Sequence, residues 1–453
     1  MRHDAHGWWI ADAGPPSPLP PLAGDVRADV VVVGGGYCGL WTAWHILEAE
    51  PEARVVVLER ERCGLGPSGR NGGFVNSLWL SLPALRERFG ATAAETLARA
   101  SRDSVEAIGA WCAAEGVDAC YRRVAHLVLS AAPHQDGVGA AAVDGEEVVA
   151  LTREQAQAIC ASPVFRGGVL VRTAATVHPA RLAFGLRDRL LARGVRIFEN
   201  SRVVALRGTT AQTEGGRVLA GAAVVAVNAR SGALRPLRQR LTVASSHIVV
   251  TERVPDVIDA LGWSGGEPIT DGRALLHYFR PTPDGRILFG WAGGRMAVGA
   301  RAGGRAEVDS EVIARTVRDL HRFFPALAGR RIEHAWGGPI DVSPAHLPSV
   351  VALGGRGVHA AFGFTGNGVG PAHLAARSLA SVALDRRDDA SGLAIVEPPT
   401  ARLPPEPFRI AGAALVRRAI VRKEAAEEAG ARADPVTRAV SGLPARLGMH
   451  LVR

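Results

Sequence analysis

Val30-Val31-Val32-Val33 is an unbroken β-branched run, flanked by Asp29 and by Gly34-Gly35-Gly36. A short apolar run of this kind marks a strand buried on both faces, as in parallel sheets. Gly39 to Glu50 reads as a helix and Arg54-Val55-Val56-Val57-Leu58 as a second buried strand, so the segment is a βαβ unit. The pattern then changes. Leu82 to Glu115 is alanine-rich and predicts one long helix, and Val124 to Ser130 predicts a strand of a different layer. Pro179 to Arg193 predicts a helix opened by proline and closed by Gly194. Val195-Phe198, Arg202-Leu206 and Ala222-Val227 return to strand, and 241–251, 273–280 and 286–291 predict short strands broken by turns such as Pro283-Asp284-Gly285. Asp309 or Ser310 caps a helix whose Val312, Ile313, Val317, Leu320 and Phe324 share a face, ended by Pro325. Strand Val358-Phe364, a glycine-rich turn and helix Ala372-Leu384 follow. The tail predicts a basic amphipathic helix over Phe408–Glu428, with Val416, Ala419, Ile420 and Lys423 at helical spacing, and then loose, proline-punctuated sequence. The proline-rich stretch Pro15–Pro21 places the start of the folded body near Asp25.

At 453 residues the chain is long enough for two or three domains. Lysine usage excludes two enzyme classes. Lys423 is the only lysine, so there is no G-K-[ST] phosphate loop and no lysine in the body for a pyridoxal Schiff base. The net charge of +9 invites a nucleic-acid reading, and the alternative kept open is an FAD- or nucleotide-binding protein acting on nucleic acid through its basic tail. Its distribution argues against that. Residues 401–453 hold ten basic and five acidic side chains, aromatics are only 5%, and arginine replaces lysine throughout as a codon bias would produce. No nucleic-acid partner is expected. The five cysteines form no C-x-x-C, which fits a reducing cytoplasm, and the histidines show no metal-ligand spacing, so no metal is expected. Met1 to Asp12 lacks an apolar signal region. Val30 to Leu47 is uncharged over a membrane-span length, yet its glycines and His45 favour strand, turn and helix. A cytoplasmic protein without a membrane span is the expectation.

Gly34-Gly35-Gly36-Tyr37-Cys38-Gly39 is G-x-G-x-x-G between a strand and a helix. Gly34 permits the tight turn, Gly36 lets backbone approach a pyrophosphate, and Gly39 lets helix and strand pack closely. The helix N-terminus then offers N–H groups and its positive dipole end to the phosphates. Glu59, followed by Arg60, ends the second strand twenty residues after Gly39, where a carboxylate accepts from ribose hydroxyls and repels a 2′-phosphate. A second small-residue loop, Cys63-Gly64-Leu65-Gly66-Pro67-Ser68-Gly69-Arg70-Asn71-Gly72-Gly73, comes next. NAD needs no such loop. FAD, which must be held along its whole length, does.

Three blocks now carry a resemblance: Asp29 to Leu40 continuing through Glu59 to Gly73, Trp336-Gly337-Gly338-Pro339-Ile340-Asp341, and Gly363-Phe364-Thr365-Gly366-Asn367-Gly368-Val369-Gly370. With their spacing, over roughly residues 25–395, the chain resembles the D-amino acid oxidase-like superfamily of FAD-dependent oxidoreductases, and within it the γ-glutamylputrescine oxidoreductase-like branch. The resemblance implies an α/β fold of two domains: a Rossmann-like FAD-binding domain with a parallel sheet, and a mostly antiparallel substrate domain with helices. The FAD domain is expected over 25–76, 168–236 and 335–395, the substrate domain over 77–167 and 237–334, and a basic helical extension over 400–453. It also implies that Gly363 to Gly370 turn their N–H groups to the flavin pyrimidine, that the Val203 backbone contacts adenine, and that Asn228 lies at a turn near the cofactor.

The same resemblance makes Leu275-Leu276-His277-Tyr278-Phe279-Arg280-Pro281 the strand facing the flavin. Tyr278 and Arg280 share one strand face and His277 the other; the resemblance puts Tyr278 and Arg280 inward. These three are the candidate catalytic residues, with His247 and Trp79 as weaker ones. The implied reaction oxidises a C–N bond of an amine or amino-acid-like substrate by hydride transfer to flavin N5, giving an imine that hydrolyses, with O₂ or another acceptor. The substrate must be neutral and aimed at N5, so positioning is expected to outweigh any general base. Amino-acid-oxidising relatives anchor the carboxylate with an arginine after the Trp-Gly motif or a lysine at the end of the glycine-rich turn. Here those places hold Pro339-Ile340 and Gly370. Sarcosine oxidases also place a lysine over the flavin for reaction with O₂, and no lysine of this body can do so.

Overall fold

The computed structural model describes residues 2–3, 6–297, 304–398 and 401–446. The valine runs form adjacent parallel strands, Val26–Val33 beside Val55–Leu58, because both sides of each run are covered and neither can face water. The parallel core of this sheet runs in the order 196–198, 55–58, 26–33, 217–225 and 358–362. An antiparallel meander of 205–207 and 210–212 leads into 217–225, and 349–352 flanks 358–362. Helices Tyr37–Ala49, Ala91–Ala114 and Gly370–Ala383 cover one face, where Trp41, Trp111 and His373 meet edge to face.

Among the described residues a second sheet has nine strands, in the order 2–3, 332–342, 242–251, 287–291, 277–281, 269–271, 126–130, 167–171 and 148–151. It is antiparallel except where 2–3 joins 332–342 and 269–271 joins 126–130. Helix Ser310–Phe323, capped by Asp309 through the N–H groups of Glu311 and Val312, covers its outer face over an aromatic core of Phe165, Trp263, Phe279, Phe289, Phe323 and Phe324. The inner face turns toward the parallel sheet, and the cleft between the two carries the site. A small third sheet of 74–76, 174–176 and 122–123 joins them. No helix among the described residues is long and apolar enough to cross a membrane.

The structure departs from the sequence reading at four places. The folded body begins well before Asp25. Helix Trp8–Ala13 buries Trp8, Trp9 and Ile10 against Leu65, Phe184 and Trp336, and the proline stretch is a bridge rather than a lead-in. The long helix is two, Leu82–Phe89 and Ala91–Ala114, because Gly90 sits at φ +79° and breaks the ladder. The crossings expected at 168 and 335 fall inside strands of the nine-stranded sheet, Gly167–Val171 and Ile332–Val342. After the tail helix Phe408–Glu428 come two further short helices, Pro435–Ser441 and Leu443–Arg446.

Trp9 has no exposed surface and lies under the Arg280 guanidinium, 5.1 Å from its ring centre. Trp9→Ala is expected to cost about 3–5 kcal/mol of stability, read as a fall in denaturant midpoint. A loss under ~1 kcal/mol would remove the N-terminal segment from the core.

Candidate cofactor and substrate site

The first turn is built by contacts that only glycine allows. A Cβ on Gly39 would lie 1.9 Å from the Gly34 oxygen, so the helix can rest on the strand only without a side chain there. Gly34, at φ +113°, donates its N–H to Leu58 O at 2.9 Å and locks the turn to the second strand. Glu59 completes the clip: its Oε2 accepts from Gly35 N at 2.7 Å and its Oε1 from Glu61 N at 2.9 Å. Burial raises the Glu59 pKa, opposed by those N–H groups. The carboxylate lines the cavity, with lone pairs left for a ribose.

The second loop folds as the short helix Pro67–Arg70. Ser68 Oγ accepts from Tyr37 N at 2.8 Å, tying the loop to the dinucleotide turn. Asn71 staples the loop, donating from Nδ2 to Ser68 O at 2.8 Å and accepting from Gly73 N at 2.7 Å. Trp336 donates its indole N–H to Arg70 O at 2.8 Å, joining the loop to the antiparallel sheet.

A third cluster centres on Asp341, whose side chain is fully buried. Its Oδ1 accepts from Asn228 Nδ2 at 2.9 Å, its Oδ2 accepts from Gly363 N, and its main-chain oxygen accepts from Thr365 N at 2.9 Å. Asn228 and Thr365 are non-glycine residues at positive φ, 46° and 50°, a strained backbone that these bonds hold. Burial lifts Asp341 to about 7, against the pull of the Gly363 and Phe364 N–H groups. Position 341 was part of a sequence motif, but nothing in its local pattern distinguished a hub from a strand residue.

These clusters enclose a cavity of about 1210 Å³ between the two sheets. Gly34, Gly36, Tyr37, Cys38, Glu59, Arg60, Ser68, Arg70, Asn71, Gly72, Val203, Asn228 and Phe364 to Val369 all line it. Gly39, Gly69, Gly73 and Gly363 lie behind the wall and shape it through close packing. At one end Arg60, Arg62, Arg202, Arg230 and Arg235 reach the cavity. At the other, Ser246, Ile248, Thr270, Leu276, Tyr278 and Ala292 carry no formal charge. The donor set fits FAD. An open helix N-terminus and five arginines suit a pyrophosphate-bearing end, and Asn228 Oδ1 and Asn76 Oδ1 are buried at the wall with no hydrogen-bond donor.

The candidate catalytic residues separate. Tyr278 lines the cavity, its hydroxyl 2.7 Å from Ser246 Oγ, and burial raises its pKa so that it stays neutral. Arg280 shares that strand face but stops short of the cavity. Its Nε donates to Gly72 O at 2.8 Å and its Nη2 to Val177 O at 2.6 Å, so the guanidinium is held by backbone behind the Gly72-Gly73 turn. Burial lowers its pKa to about 10, which leaves it cationic. His277 is on the far side of the sheet, fully buried, with Nδ1 2.8 Å from Asp271 and Nε2 3.0 Å from Asp319. The weaker candidates also point elsewhere. His247 has no hydrogen-bond partner and burial lowers it to about 4, and Trp79 donates to Asp144 at 2.8 Å. Ser246, Asn76 and Thr270 are cavity residues that sequence reading missed, since a lone polar residue on a strand carries no signal.

A glycine-turned parallel sheet facing an antiparallel sheet across a long cleft defines a two-domain, dinucleotide-dependent enzyme. The chain belongs to the FAD dependent oxidoreductase family, whose model matches residues 29–382. It is an FAD-dependent oxidoreductase. It is 30% identical over 399 residues to the γ-glutamylputrescine oxidoreductase of Escherichia coli, covering 84% of this chain and 89% of that one. It is 27% identical over 357 residues to sarcosine oxidase subunit beta of Rhizobium meliloti, covering 71% and 76%. The glycine oxidase structure from Geobacillus kaustophilus shares the fold, with TM-score 0.65 at 20% identity over 80% of this chain and 96% of that one.

Two substitutions test the site. Glu59→Ala removes a charge-assisted acceptor worth about 1.5–3 kcal/mol, so FAD affinity of the apoprotein should fall by roughly one to two decades in calorimetric titration. Unchanged affinity would detach Glu59 from the ribose. Asp341 binds its proton more tightly folded than unfolded, so its contribution to apoprotein stability is greatest below its unfolded pKa and declines as pH rises toward about 7. In Asp341→Asn the stability lost between pH 4 and pH 7, read by urea denaturation, should be smaller. An identical pH slope would place the carboxyl in water.

Proposed function

We propose that this oxidoreductase acts on an amine that lacks an α-carboxylate. The glycine turn, Glu59 and the 68–73 and 364–369 turns would hold FAD, which would supply a hydride acceptor for the electron pair of the substrate C–H bond, the nitrogen giving up a proton and water hydrolysing the imine product. The uncharged end of the cavity carries this reading. A substrate carboxylate buried beside Ser246, Thr270 and Tyr278 would need a paired cation, and the nearest sequence candidate, Arg280, is engaged by Gly72 O and Val177 O. Relatives named for γ-glutamylputrescine and sarcosine support an amine or amino-acid-like substrate, and the narrower reading without an α-carboxylate rests on the cavity alone. Ser246 donates to Trp291 O at 3.1 Å, so Tyr278 donates to Ser246 and keeps its oxygen lone pairs for a substrate N–H. Tyr278 thus orients the amine, and the apolar wall of buried Ile248 and half-buried Leu276 favours its neutral form.

We assign the cofactor contacts to the glycine turn, Glu59, the 68–73 loop, Val203, Asn228 and the 364–369 turn. The FAD-binding part is assigned to three chain segments, with the substrate part between them. Arg409 and Arg417 bond inward to carbonyl oxygens of the body.

Anaerobic mixing with polyamines, secondary amines and amino acids should bleach the flavin with an amine lacking an α-carboxylate, and much more slowly with its α-carboxylated counterpart. The reverse order would overturn the reading. Lys423, the only lysine, pairs with Glu427 on the tail helix, and His247 is held neutral by burial. No ammonium is therefore supplied to the flavin, and stopped-flow reoxidation by air-saturated buffer should be slow. Reoxidation at the rate of a dedicated oxidase would refute this.

A further inference from the structure

The helix Phe408–Glu428 lies beyond the family match, which ends at residue 382. It buries little apolar surface of its own, chiefly Ala419 and Ile420, yet Glu424 on it is 4% exposed and aimed into the body. Glu424 Oε1 accepts from Ala274 N at 2.9 Å. One turn on, Glu428 forms an ion pair with Arg273, a fully buried side chain whose other carboxylate neighbour is Asp271 at 3.0 Å. Asp271 is the same group that holds His277, so the helix is wired to the strand that carries Tyr278. Toward the helix N-terminus, Arg417 Nε donates to Gly293 O at 2.9 Å and to Gly294 O at 2.6 Å.

The two segments gripped in this way are the ones that close the uncharged end of the cavity. Trp291 donates its indole N–H to Leu275 O at 2.9 Å, and Ala292 donates its N–H to Leu276 O at 3.0 Å, so 272–276 and 292–294 form one wall. Leu276 and Ala292 line the cavity beside Tyr278. This wall includes Gly272, Gly293 and Gly294, the most permissive backbone available, and the bonds gripping it from outside come from charged side chains of the tail helix.

We propose that Arg417 and Glu424 are positioning residues that brace the substrate wall, so that the tail helix sets substrate fit at Tyr278 from outside the cleft. The inference rests on the reading of that end as the substrate end. Its test is amide hydrogen exchange on the FAD-loaded, full-length protein and its Arg417→Ala and Glu424→Ala variants. Exchange in 272–276 and 292–294 should quicken by roughly tenfold or more, the loss expected for one charge-assisted bond. Strand 26–33 and the flavin absorbance should stay as in wild type. With the amine from the panel that bleaches wild-type flavin fastest, KM should rise about tenfold while kcat changes less, as for lost ground-state positioning. Glu424→Gln, which keeps an acceptor for Ala274 N, should restore most of the protection and of KM, and it serves if the alanine variants fold poorly. Unchanged exchange in both segments, or faster exchange with wild-type KM, overturns the brace. A lower melting temperature with neither change would make the helix a stabilising cover only. If no amine reduces even the wild type, the substrate reading fails while the exchange result still decides whether the helix holds the wall.

Discussion

The structure turns on one buried carboxylate. Asp341 sits at the end of a strand of the antiparallel sheet, yet its partners are Asn228, where the strand 217–225 leaves the parallel sheet, and Gly363, where the strand 358–362 gives way to its turn. Three stretches of chain, one lying 113 residues before Asp341 and one 22 residues after it, meet at two oxygen atoms. An unpaired carboxylate there would be prohibitive, so burial is tolerated only while all the donors are in place. The same bonds hold Asn228 and Thr365 in left-handed backbone and thereby aim the 364–369 turn into the cleft. Relative placement of the two sheets and shape of the cofactor cavity are one problem with one solution.

The cleft is electrostatically lopsided. Five arginines border one end, and the other is lined by hydroxyls and aliphatic groups. Glu61 pairs with Arg60 at 3.0 Å and offsets part of that charge, and the arginines that remain suit the phosphates of an anionic cofactor. The uncharged end gives no such pull to a carboxylate.

Much of this was legible in the chain because it is local. The glycine turn, Glu59 after the second valine run, and the Asn71 loop each declare themselves by residue types that no other backbone conformation requires. Strand alternation also placed His277 and Tyr278 correctly on opposite faces. It could not reveal that Arg280 would be captured by Gly72 O and Val177 O, because those carbonyls lie 208 and 103 residues away in sequence. The same holds for Asp341, and for Trp8-Trp9, whose burial depends on Trp336 and on the helix Pro179–Ala192. Local pattern sets which elements form. Long-range hydrogen bonding decides which polar side chain reaches the cavity.

The interleaved parallel sheet has a consequence for how the chain is made. Strand 26–33 pairs on one side with 55–58, available almost at once, but on the other with 217–225, which in turn awaits 358–362. A ribosome must therefore deliver some 360 residues before the sheet is complete. Until 217–225 arrive, one edge of the valine strand 26–33 is unpaired, and from then until 358–362 arrive the open edge is that of 217–225. Closure depends on contacts of very high sequence separation, the kind that carry the largest loop-closure cost in folding.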